Sequence, residues 1–111
     1  MLPVQVSITK QAKMEETTAK ELLQTAYKRE TSALIASVRE RTSSITELND
    51  LWYIHDLLST KRYEIDGKYD YNSSTIIFDF AQLVKEGWLH LDELKVLQPE
   101  MQSKISALAR M

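Results

Sequence analysis

A histidine and an aspartate stand side by side at His55 and Asp56, two residue types that can share a proton. Successive side chains of an α-helix point about 100° apart, so this pair cannot form the imidazole–carboxylate relay of a general base without outside partners. The pattern places no nucleophile beside them, which argues against an enzyme and leaves no residue to name as catalytic. A zinc site needs at least three converging ligands, and the other histidine, His90, falls in another predicted element, so no metal site is expected.

Trp52 and Arg62 flank this pair and leave two interpretations open. In one, His55 and Arg62 are polar positions in the seam of a helical dimer, and Asp56 pairs with Arg62 of the other chain. In the other, Trp52 and Arg62 belong to a surface that recognises another protein, because these two residue types dominate binding hot spots.

The composition limits which elements can carry these residues. The chain has 111 residues with two Gly, two Pro and no Cys, and residues 4–66 contain neither Gly nor Pro. So few turn-forming residues exclude an all-β fold and predict helix almost throughout. The 14 basic and 16 acidic residues give a net charge of -2, which argues against a nucleic-acid-binding surface.

The first long helix is predicted to begin at about Ala12 or at Thr18, where Thr18 and Glu21 are spaced as a capping box, and to end near Arg41. The residues before it, 1–11, are interpreted as a β-leaning tail. After Arg41 the run Thr-Ser-Ser breaks the apolar pattern, so a new helix is expected to follow.

The second helix is predicted from a capping box at 44–47 to Gly67, where a left-handed C-cap is favoured. Two neighbouring stripes of side chains run along it. A heptad seam, spaced alternately three and four residues apart, consists of Leu48, Leu51, His55, Leu58, Arg62 and Ile65. The second stripe consists of Trp52, Asp56, Ser59 and Tyr63. Since the first helix can cover only one such face, we expect a symmetric antiparallel dimer to cover the other.

The remaining residues predict a small head made of three helices. A polar loop at 68–72 leads to a third helix, which is capped by a serine at 73–74 and ends at Gly87. A short helix is expected at 91–97. Pro99 then occupies the first position of the last helix, where its missing N–H costs nothing.

Two smaller clusters are also candidates for binding. Phe78 lies off the apolar stripe of the third helix, so we expect it to be exposed and, beside Lys104 and Lys85, to offer a docking point. The basic cluster formed by 61–62 and Lys68 is interpreted as a solvated face.

Together these elements predict one all-α domain over residues 1–111. Its tail is 1–11, its two long helices at 12–66 form an antiparallel dimeric stalk, and its small head is 67–111. A small dimeric transcription regulator is the alternative function, but it would need a basic stripe for DNA. A structural adaptor is a further alternative.

A series of short runs carries a resemblance to a known family. They are AYKRE at 26–30, DLW at 50–52, HDL at 55–57, KRYEIDGKYD at 61–70, IIF at 76–78, FAQL at 80–83, EG at 86–87, QSKI at 102–105 and ALAR at 107–110. In these runs the chain resembles the fluorescence recovery protein family of cyanobacteria.

The resemblance implies an all-helical, non-enzymatic dimer with a stalk and a head. It implies binding to the photoactivated red form of the orange carotenoid protein, a faster return of that protein to its orange form, and an end to quenching at the phycobilisome. The carotenoid belongs to the partner, so no cofactor is implied, and contact with the thylakoid-associated phycobilisome is indirect. The implied location is the cytoplasm or the cytoplasmic face of the thylakoid.

The resemblance also assigns the candidate site residues. At the dimer interface and its rim they are Trp52, His55, Asp56 and Arg62, to which the seam adds Leu51, and on the head they are Phe78 and Lys104.

Overall fold

The computed structural model describes residues 2–111, with side chains described from residue 15 onward. The described residues form four α-helices and one 3₁₀ helix, and no strand occurs among them. The helices are α1 (Leu2–Ser43), α2 (Leu48–Ile65), α3 (Ile76–Glu86), the 3₁₀ helix (Leu91–Val96) and α4 (Pro99–Ala109). The prediction of an all-α fold is therefore confirmed.

Helix α1 begins at least ten residues earlier than predicted, so the backbone of the segment interpreted as a β-leaning tail is helical. Pro3 is compatible with this start because the first turn leaves its missing N–H without an intrahelical partner in any case. Once the Ala-, Glu- and Lys-rich part is helical, each further residue adds one backbone hydrogen bond and no new nucleation cost. The predicted capping box at 18–21 is wrong, because these residues lie inside α1.

Helix α2 is capped three residues later than predicted. Asp50 accepts hydrogen bonds from the backbone N–H groups of Thr46 and Glu47, both at 3.0 Å, and Glu47 is the N-cap. Ser44 instead donates its N–H to the carbonyl of Arg41 and closes the last turn of α1. The predicted end of α2 is confirmed, since Gly67 follows it with a φ of +77° that favours glycine.

The cap of α2 should respond to pH through Asp50. Hydrogen bonds from the backbone N–H of Thr46 and then of Glu47 hold the pKa of Asp50 below its ordinary value of 3.8. The unfolded chain therefore binds the proton more tightly, so this stabilisation is complete above pH 3.8 and is lost as the pH falls through the lowered pKa. We expect Asp50→Ala to speed amide hydrogen exchange at residues 46–50 at neutral pH, whereas Asn49→Ala should not. A difference from the parent that does not shrink as the pH falls further below 3.8 would contradict the role of the ionised carboxylate.

The described chain falls into two compact units. The first contains α1 up to Ala26 together with Tyr71–Met111, and its core is apolar. The buried residues of this core are Ala19, Leu22, Leu23, Ala26, Ile76, Phe80, Ala81, Leu83, Leu89, Leu94, Leu97 and Ile105. Burial of each large side chain contributes about 1.5–3 kcal/mol. The head elements thus share their core with a part of α1 that the sequence analysis assigned to the stalk.

Local chemistry sets the ends of the helices in this unit. Thr75 is the N-cap of α3, one residue after the predicted serine, and its hydroxyl donates to the Asp79 carboxylate at 2.8 Å. Gly87 ends α3 with a φ of +87°, and Pro99 begins α4, both as predicted.

Candidate functional site

The second unit, Tyr27–Asp70, is a helical hairpin of the second half of α1 and α2. The guanidinium of Arg41 on α1 lies 5.0 Å from the ring centre of Tyr53 on α2. Near the other end, Lys68 reaches back to Glu30 of α1. Because low numbers on one side pair with high numbers on the other, α2 runs antiparallel to this part of α1.

One face of α2, here called the inner face, is half-buried, and its Ile54 lines a groove together with Ser37 and Glu40 of α1. The residues of the inner face recur at intervals of three and four, as one helical face requires, and are Ile54, Leu57, Lys61 and Ile65. This face was not predicted, although its three- and four-residue spacing is present in the sequence, because two other stripes on α2 have the same helical spacing. Ile65, which was predicted in the seam, lies on the inner face.

The two predicted stripes form an outer face that the chain itself leaves uncovered. Its exposed residues are Leu48, Leu51, Trp52, His55, Asp56, Leu58, Ser59, Arg62 and Tyr63. Leu51 is 47% exposed, Trp52 55% and Tyr63 86%. Five of these nine exposed residues are leucine or aromatic, so the outer face has the character of an interaction surface.

Three of the predicted site residues meet on the outer face. His55 Nδ1 lies 3.3 Å from Asp56 Oδ1, and the ring of Trp52 stands edge-on to the imidazole with centres 6.4 Å apart. The two side chains are exposed and turn toward each other, although they are neighbours in the sequence. The carboxylate can only accept, so the imidazole Nδ1–H is the donor. Both side chains of the pair remain exposed to water. No contact among the described residues joins the pair to a nucleophilic side chain.

Arg62 lies on the same outer face but is not joined to this cluster within the chain. Its side chain is exposed and forms no ion pair among the described residues. The neighbouring basic residues do form ion pairs: Lys61 with Glu64 at 3.3 Å and Lys68 with Glu30 at 2.8 Å. The interpretation of Lys68 as part of a solvated basic face is therefore wrong.

A second candidate surface lies on the head, where Phe78 is 63% exposed. The predicted exposure is confirmed. Phe78 and Lys104 line one shallow groove between α3 and α4, together with Ser73, Ser74, Ile77, Ala107 and Leu108. Lys104 also pairs with Glu100 at 3.4 Å. Lys85, which was predicted to join them, does not line this groove.

A buried carboxylate in the second unit was not predicted from the sequence. Glu30 is 6% exposed, the one buried charged residue among the described side chains. Its Oε1 accepts hydrogen bonds from Lys68 Nζ at 2.8 Å and from the hydroxyl of Tyr69 at 2.5 Å. The ring of Tyr69 in turn meets Tyr27 edge-on, with centres 5.5 Å apart. These contacts join residues nearly forty positions apart, which no local pattern reveals.

The described residues offer neither a metal-binding site nor a membrane-spanning helix as a further candidate. Within the described side chains, no group of three His, Asp or Glu residues converges as metal ligands. Among the described helices, none has the length and apolar character needed to cross a bilayer.

Known proteins resemble the chain over most of its length. Residues 11–109 match the family described as photoprotection regulator fluorescence recovery protein. The fluorescence recovery protein of Synechocystis sp. PCC 6803 is 53% identical over 97 residues, which cover 87% of this chain and 89% of that protein. The solved structure of the Fremyella diplosiphon fluorescence recovery protein superposes with a TM-score of 0.82 at 53% identity, covering 88% of this chain and 96% of that one. The solved Synechocystis structure gives 0.83 at 52% identity, covering 87% and 95%.

Proposed function

The chain belongs to the fluorescence recovery protein family of photoprotection regulators, and we propose that it binds the photoactivated red form of the orange carotenoid protein. In this proposal it speeds the return of that protein to its orange form and so ends fluorescence quenching at the phycobilisome. It acts without chemistry of its own, in the cytoplasm or at the cytoplasmic face of the thylakoid. The observation that carries the proposal is the uncovered outer face of α2, where aromatic and charged side chains stand together.

Such a protein can act only through differential affinity. To raise the rate of closure it must bind the transition state of the red-to-orange return more tightly than the open red form. A scaffold that holds two parts of the partner together reduces the entropy lost when they dock. Release then follows because the closed orange form no longer presents the bound surface.

The outer face of α2 also supports a homodimer as part of the proposal. Leu48, Leu51 and Leu58 follow a heptad seam, and all three are exposed in the single chain. An antiparallel pairing of two α2 helices would bury both seams in one self-complementary interface. Trp52 and Arg62 would then lie at or beside this interface, where a third protein could still reach its rim.

The proposed function is tested by following the dark recovery of photoactivated orange carotenoid protein with and without this chain. We expect recovery to accelerate in proportion to the chain added and to be unchanged with a heat-denatured sample. A parallel titration of duplex DNA at low salt tests the transcription-regulator alternative, which would require salt-dependent binding. Unaltered recovery together with DNA binding would overturn the proposal in favour of that alternative.

The head groove gives a prediction of its own. We expect Phe78→Glu to weaken binding to the carotenoid protein at least about tenfold, because an exposed aromatic anchor is replaced by a charge that a partner would have to desolvate. Helicity and oligomeric state should not change, since Phe78 is exposed in the chain. Val96→Glu is the matched control, because Val96 is 66% exposed and lies outside the groove. Equal weakening by both variants would show that added negative charge, not the groove, causes the effect.

A further inference from the structure

The attachment of α2 to α1 is unusually dependent on polar contacts. No residue of α2 is fully buried in the described chain, and its inner face is only half-buried. Fully buried side chains normally set the register of two packed helices, because ridges of one enter grooves of the other. A hairpin that lacks them needs another means of preventing one helix from sliding along its neighbour.

Two specific contacts provide that means, one near each end of the hairpin. Arg41 stacks on Tyr53 near the start of α2, and Glu30 binds Lys68 and Tyr69 just after its end. On α1 the two contacts lie about three helical turns apart, between Glu30 and Arg41, and on the other side Lys68 follows the end of α2, fifteen positions after Tyr53. A slip of one turn, roughly 5 Å, would break both of them.

The Glu30 cluster penalises such a slip more strongly than it stabilises the hairpin. A buried ion pair contributes little net stability, because desolvation of the charges offsets their attraction. An unpaired buried carboxylate is expensive, so any register that separates Glu30 from Lys68 and Tyr69 is disfavoured. The cluster therefore selects one register among several that the half-buried apolar contacts would accept.

We propose that Glu30 is a positioning residue for the outer face of α2. By binding Lys68 and Tyr69 it fixes the register of α2 on α1, and with it the positions of Arg62 and Trp52. The register itself is a property of the hairpin. Only the consequence for recovery of the carotenoid protein rests on the proposed function.

The test replaces the ion pair by apolar residues of similar size, as Glu30→Leu with Lys68→Leu. The chain contains no cysteine, so spin labels can be attached at Ser32→Cys on α1 and Thr60→Cys on α2, both exposed positions. Labelled chain is mixed with an excess of unlabelled chain to remove distances between protomers. We expect one narrow label distance in the parent and a distribution broader by about one turn, roughly 5 Å, in the double variant. Thermal stability should stay the same or rise.

The matched control removes an exposed ion pair outside the hairpin, as Asp92→Leu with Lys95→Leu. It should leave the label distance narrow. A double variant at Glu30 and Lys68 whose distance stays as narrow as the parent's would overturn the proposal, because the cluster would then not set the register.

The recovery assay supplies the functional readout. We expect the variant at Glu30 and Lys68 to lose at least about tenfold in acceleration although it remains folded and oligomeric. Full acceleration despite a broadened distance would overturn the positioning role. Were the parent chain inactive, the proposed function would fall, and the label distances would still decide whether Glu30 sets the register.

Discussion

Leu51→Glu is expected to convert the proposed dimer to monomers at micromolar concentration. Leu51 is 47% exposed in the single chain and lies in the heptad seam, so its apolar surface is available to a second copy. A glutamate there would be buried without a partner in both protomers. At about 3 kcal/mol per unpaired buried charge, this raises the dimer dissociation constant by roughly four orders of magnitude. Light scattering with sedimentation measures the change, and circular dichroism checks that the helices persist.

Thr60→Glu is the control for this experiment. Thr60 is exposed and, nine residues along α2, points to the side of the helix opposite Leu51. The same added charge there should leave the dimer intact. A parent chain that is monomeric at tens of micromolar would remove the proposed dimer, and equal dissociation by both variants would attribute the effect to net charge.

Helix ends that depend on one residue's own conformation were predictable from the sequence. Gly67 and Gly87 both have positive φ and Pro99 begins a helix, as the sequence analysis expected. The cap of α2 was not predictable to the residue, because several side chains near it can accept a backbone hydrogen bond. Asp50 takes two at once, and this decides the competition with Ser44.

The exposed parts of the candidate site were predictable for a different reason. Helical periodicity placed Phe78 off the buried stripe of α3 and the polar seam residues on one side of α2. Periodicity cannot say which of several faces turns to the neighbouring helix, so the inner face of α2 escaped notice. Periodicity also cannot reveal contacts between residues far apart in the sequence, such as the ion pair of Glu30 with Lys68. Charged residues are expected at the surface by default, and only the fold shows that Glu30 is buried and Lys68 half-buried beside it.

Arg62→Lys separates the two interpretations of the outer face, and we expect the proposed recovery activity to fall at least about tenfold while the proposed dimer persists. A guanidinium is planar and offers five N–H donors in a fixed fork, whereas an ammonium is a compact point charge, so Lys preserves the charge but not the geometry. The Arg62 side chain is exposed and forms no ion pair among the described residues of its own chain, so its N–H donors are available to a partner. Trp52 on the neighbouring stripe supplies the aromatic surface that accompanies arginine in hot spots.

The dimer interpretation makes the opposite prediction for the same variant. If Arg62 only neutralises Asp56 of the other protomer, Arg62→Lys should keep most of the activity. The double variant Arg62→Leu with Asp56→Leu should then be milder than either single change, because no charge is left unpaired. Recovery rate and dimer dissociation are therefore measured on each variant, with Arg39→Lys, an exposed arginine of α1, as the control for the substitution itself. If activity falls only in proportion to the loss of dimer, Arg62 acts by stabilising the dimer. If activity is lost while the dimer stays intact, the guanidinium of Arg62 contacts the carotenoid protein.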